Sequence, residues 1–71
     1  MSNQNEPSKR LLRMREVLEL TGLSRSSVYD RMNMGLFPQS CSLGGRSVAW
    51  VESEITQWID SQIAQRDEVV S

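Results

Sequence analysis

A chain of 71 residues holds one folding unit, and its small core leaves little scope for a buried polar cleft. It contains no histidine and one cysteine, Cys41, so an intrachain disulfide is excluded and a zinc site would need one thiolate plus carboxylates. The net charge of −1 argues, taken as a whole, against a polyanionic partner.

Met1–Ser8 is Ser, Asn, Gln, Glu and Pro with no apolar anchor. It reads as part of a disordered N-terminal arm over 1–9, and it lacks the hydrophobic stretch of a secretory signal. Leu11-Leu12 is a short apolar pair able to dock on a core. Met14, Val17, Leu18 and Thr21 then repeat at i, i+3, i+4, i+7, which predicts a first helix over about Met14–Leu20. Gly22 permits a left-handed turn, Leu23 follows as a buried turn residue, and Ser24 is a good N-cap. A second helix is expected from Arg25 to about Met34, with Val28 and Met32 inward, closed by Gly35 and Pro38.

Two helices joined by a short Gly-containing turn also occur in many proteins that bind no nucleic acid. The next segment narrows the choice. Cys41-Ser42-Leu43 predicts a short strand, Gly44-Gly45 a hairpin turn with Arg46 at the tip, and Ser47-Val48-Ala49-Trp50 the returning strand. Val51, Ile55, Trp58, Ile59 and Ile63 form a stripe at helical spacing, placing a third helix over about Glu52–Gln65. Residues 67–71 are expected to fray. The fold class is therefore mostly α with a small β-hairpin: a winged helix-turn-helix of about three helices and a two-stranded wing, spanning 10–66. Val17, Leu18, Leu23, Val28, Met32, Ile55, Trp58 and Ile59 are the expected core. Met14 and Met32 read as core filler, Met34 as partly exposed, and Cys41 as a small strand hydrophobe.

Charge is unevenly spread. Lys9, Arg10, Arg13, Arg15, Arg25, Arg31 and Arg46 face three acids between residues 9 and 50, whereas Arg66 faces five acids between 51 and 71. A basic half could meet a polyanion while the acidic end faces away. Equally, such an imbalance is ordinary solvated surface.

The ordered blocks Ser24-Arg25-Ser26-Ser27-Val28-Tyr29, Gly35-Leu36-Phe37-Pro38, Leu43-Gly44-Gly45-Arg46 and Trp50-Val51-Glu52-Ser53-Glu54-Ile55 with Trp58-Ile59 resemble the AlpA family of small prophage-associated regulators. That family is related to phage excisionases and to the MerR-type winged helix. The resemblance covers about residues 10–65. It implies a short helix-turn-helix, a wing and a last helix packed behind, with double-stranded DNA as partner. The implied roles are transcriptional regulation of phage or element genes, or DNA bending for excision, with an integrase as a further partner. One departure stands out: many members have a basic residue after Tyr29, where this chain has Asp30 before Arg31. Asp30 could accept from a cytosine amino group, repel phosphate, or pair with a neighbouring Arg.

The candidate DNA contacts are Arg25, Ser26, Ser27 and Tyr29 in the first turns of the second helix, the end that enters the major groove. Arg31 on its flank reaches phosphate or pairs with a Glu of the first helix. Gly45 and Arg46 form the wing tip, where a glycine allows close backbone approach and an Arg suits a narrow minor groove. Arg13 and Arg15 are backbone contacts or ordinary surface charge. Trp50 and Trp58 read as core anchors with local partners for their indole N–H groups, not as stacking platforms.

No catalytic residue, metal or cofactor is expected, because no base, nucleophile or ligand cluster is in view. No apolar run approaches the ~20 residues that span a bilayer, and a cytoplasmic location is expected. A module this small buries limited area on DNA, so copies are expected side by side, self-associating weakly on the duplex. The competing reading is an adaptor that docks the small winged helix on another regulatory protein, with its acidic third helix as the docking face.

Overall fold

The computed structural model describes residues 9–70, with side chains through Glu68. Nearly all of the expected N-terminal arm, and Ser71, lie outside the described residues. The element order is β1 (Leu11–Leu12), α1 (Met14–Thr21), α2 (Arg25–Asn33), β2 (Cys41–Gly44), β3 (Ser47–Val51) and α3 (Glu52–Val70). This is a winged helix-turn-helix.

Local chemistry sets each boundary. At the start of α1 the Arg13 amide donates to Glu16 Oε1 at 3.0 Å, satisfying a backbone donor that the helix leaves unpaired. Arg10 reaches both Glu16 (2.9 Å) and Glu52 (3.2 Å), and its carbonyl accepts from the Glu52 amide at 2.8 Å. These bonds link the chain before β1 to the starts of α1 and α3. The ion pairs are solvent-exposed, so each contributes at most about 1 kcal/mol.

Gly22, at φ 75°, closes α1 by donating its amide to Leu18 O at 2.8 Å. An L side chain would resist that left-handed conformation by roughly 1–2 kcal/mol. Ser24 caps α2, its Oγ accepting from the Ser27 amide at 3.2 Å. At the other end Met34 is the cap and Gly35 turns left-handed. The Gly35 amide then bonds Met32 O and the Leu36 amide bonds Arg31 O, the paired closure that a C-terminal glycine permits.

The wing differs from expectation in two ways. The sheet has three strands, ordered β1-β3-β2, because Leu11-Leu12 pairs with Val51 and Trp50 where only a hairpin was expected. Two residues are too short to show strand alternation, and their partner is remote in sequence. The turn is also shifted by one residue. Gly44 pairs with Ser47, so Gly45 and Arg46 are the two turn residues. A register shift between Ser42 and Gly44 leaves Leu43 as an extra residue on β2, bending the strand. Gly45 has φ 57° and Arg46 has no positive φ, as in a hairpin turn whose first central residue is Gly.

α3 runs to Val70, past the expected end near Gln65. It contains no Gly or Pro to stop it, and Ala64, Arg66 and Glu68 favour helix.

The core cluster is Leu12, Met14, Val17, Val28, Phe37, Trp50 and Ile55, with Leu18, Leu23, Met32, Val48, Trp58 and Ile59 packed against it. Every residue expected in the core is in one group or the other. Trp50 is wholly buried on the central strand and donates its indole N–H to Pro38 O at 3.1 Å. Trp58 is only half-buried. It meets Phe37 edge-on at 4.8 Å and donates to Leu36 O at 2.8 Å. The two indoles thus hold the segment joining α2 to the wing by its Leu36 and Pro38 carbonyls, and Gln39 adds a bond to Met32 O. The reading of both tryptophans as structural anchors holds, although full burial belongs to Trp50 alone. Among the described residues no helix is long and apolar enough to cross a membrane.

Candidate nucleic-acid interface

The predicted contacts form two clusters. The first occupies the opening turns of α2. Its rotation is fixed by Val28, which is wholly buried and so turns its own side of the helix toward the core. Arg25, Ser26 and Tyr29 are exposed, and Ser27 is half-buried. Ser24 Oγ lies 3.1 Å from Ser27 Oγ and 3.4 Å from Ser26 Oγ. Ser24 Oγ donates to Ser27 Oγ, so the Ser27 hydroxyl accepts within the cap and keeps its own proton, while the Ser26 contact is long. Ser26, the more exposed of the two, is the more accessible to an outside partner.

The second cluster is the hairpin tip. Leu43, Gly44, Gly45 and Arg46 are all exposed. With no side chain at Gly44 or Gly45, the backbone there is bare, and the Arg46 guanidinium is the charge carried by the turn. Leu43 was not among the predicted contacts. It shares its exposure with the whole of β2.

Among the described residues, Arg25, Arg31 and Arg46 make no ion pair. For Arg31 this removes the expected alternative of pairing with a glutamate of α1. Glu16 is taken by Arg10, and Glu19 lies 3.9 Å from Arg15. Arg15 accordingly reads as a member of a surface pair. Asp30 also makes no ion pair, so of its three expected roles pairing with a neighbouring Arg is not realised. Asp30 and Asn33 stand exposed on α2, and helical phase relative to Val28 is the sequence signal that places them there.

Cys41 begins β2 and is exposed. It lies on a strand as expected, but it is not part of the packed interior. Among the described residues no three His, Cys, Asp or Glu side chains gather as a metal site requires.

Comparison with known proteins fits this arrangement. The family model described as prophage CP4-57 regulatory protein (AlpA) matches residues 10–63. The chain is 50% identical over 58 residues to the uncharacterized protein ORF88 of Enterobacteria phage P4, a match covering 82% of this chain and 66% of that protein. It is 34% identical over 64 residues to the DNA-binding transcriptional activator AlpA of Escherichia coli, covering 82% of this chain and 91% of that one.

Proposed function

The chain belongs to the AlpA family of prophage regulatory proteins, and from that premise we propose that it binds double-stranded DNA and regulates transcription. The observation that carries the reading is the placement of Arg25, Arg31 and Arg46. All three lack an ion-pair partner among the described residues, and they sit on a capped helix and on a hairpin tip, elements suited to two grooves of one duplex.

In this reading α2 enters the major groove by its N-terminal turns. Arg25 reaches a guanine, with Ser26 and Tyr29 bonding bases or phosphates. Arg31 lies on the flank against phosphate. Ser27 holds the helix end through the cap. The wing lies along the backbone, where Gly45 allows close approach and Arg46 enters the minor groove. Because one module buries limited area, copies bind side by side and meet weakly on the duplex. The same grip would serve an excision factor acting beside an integrase, and only binding assays with the integrase present separate the two roles.

Salt titration tests the reading. Affinity for duplex DNA falls steeply as salt rises, because neutralised phosphates release counterions. Binding that ignores salt, or no binding to any duplex, would instead favour a protein partner. Arg46→Ala is expected to weaken binding with little change in the preferred sequence, and to lower the logarithmic salt slope by about 0.9 where the guanidinium at the groove edge neutralises one phosphate. An unchanged slope and affinity would remove the wing from the interface.

A further inference from the structure

The outermost line of α2 does not run through its arginines. At 3.6 residues per turn, Ser26 and Asp30 each lie about 200° from the buried Val28, almost diametrically opposite, and Asn33 lies at about 140°. Arg25 and Arg31 each lie within about 60° of Val28 and leave the helix along its flanks. Asp30 and Asn33 are exposed, and neither side chain makes a hydrogen bond or ion pair among the described residues.

Asp30 is the only acid on α2. A carboxylate there opposes phosphate binding, and no neighbouring arginine neutralises it. At the middle of the outward line, however, a helix laid in a groove would turn this side chain to the floor rather than to the phosphate walls. A carboxylate accepts and does not donate, and the cytosine N4 amino group is the exposed donor of a G·C pair in the major groove. Asn33, one turn further along, carries both a donor and an acceptor, the pair that matches adenine N6 and N7.

The geometry points to Asp30 and Asn33 as base-reading residues, Asp30 for cytosine and Asn33 for adenine, an inference that rests on the DNA-binding reading above. It also sets a spacing. Five residues separate Arg25 from Asp30, about 7.5 Å of helix rise. At about 3.4 Å per base step, the cytosine falls roughly two base pairs from the guanine read by Arg25.

Selection from a randomised duplex pool tests the assignment, using the full chain and its Asp30→Asn, Asp30→Ala and Asn33→Ala variants. Both positions are exposed, and thermal melting by circular dichroism confirms that each variant is folded. The parent is expected to enrich a motif containing a selected cytosine. Asp30→Asn, nearly isosteric, should turn that position from cytosine to adenine. Asp30→Ala should flatten it, with discrimination falling roughly 5- to 100-fold, while affinity for unrelated duplex rises as a repulsion is lost. Asn33→Ala should flatten a separate adenine position. If all variants enrich the parental motif, or if both Asp30 variants merely bind every sequence more tightly, the assignment is overturned while DNA binding stands. If the parent enriches no duplex, the DNA-binding reading itself fails and the assignment falls with it.

Discussion

Trp50→Ala is expected to leave the chain largely unfolded at 25 °C. Trp50 is wholly buried on β3, the central strand, beside its cross-strand partner Leu12. Truncating a buried Trp to Ala typically costs about 3–5 kcal/mol, through lost transfer energy and the cavity left behind. A core of this size rarely supplies more than about 3–5 kcal/mol in total. The lost indole bond to Pro38 O would also loosen the segment between α2 and the wing. Trp58→Ala is the internal comparison. Its ring is half-buried, so less area leaves the core, and the variant should stay folded with a lower melting temperature. Urea or thermal unfolding followed by circular dichroism distinguishes the two. Equal losses, or a Trp50→Ala variant with parental melting, would show that the core is not organised around β3.

The contrast between the tryptophans marks where the sequence could be read and where it could not. Helical periodicity locates Val17, Val28 and Ile55 in the core because each repeats in phase with its own helix. Ser24 and Gly22 declare the helix-turn-helix corner, since a cap hydroxyl and a left-handed glycine are requirements of adjacent residues. Leu12 and Phe37 carry no such signal. Leu12 is buried by pairing with Trp50, 38 positions along the chain. Phe37 is buried because two indoles and Gln39 fold an irregular segment onto α3 and α2. The wing turn shows the same limit on a smaller scale. Two adjacent glycines announce a turn, but the bulge at Leu43 decides which residues occupy it. For the candidate interface, residue types, the capped start of α2 and the hairpin turn nominated the contacts. Whether each arginine was already paired was legible only in three dimensions.

Arg25→Ala should weaken binding to the preferred duplex by about 1–3 kcal/mol, the usual discrimination of one bidentate base contact. Its effect on scrambled duplex should be much smaller. Arg25 is the first residue of α2, directly after the Ser24 cap. It is exposed and has no ion-pair partner among the described residues. By phase it sits on the same side of the helix as Val28, so a short side chain there would face the core. A long one can leave at the helix end and reach round to the groove, which is why the position suits Arg and why Ala removes the whole contact. The cap bond runs from the Ser27 amide to Ser24 Oγ and does not involve the Arg25 side chain, so the fold should survive the change. Tyr29, exposed one turn on, should show a smaller loss when changed to Phe, which removes only its hydroxyl. Fluorescence titration on a duplex recovered by selection, and on its scrambled counterpart, reads both effects. Equal losses on the two duplexes would make Arg25 a phosphate contact and leave base reading to Asp30 and Asn33. No loss on either would mean that α2 is not the reading element, and the protein-docking alternative would then account better for the exposed faces of this small winged helix.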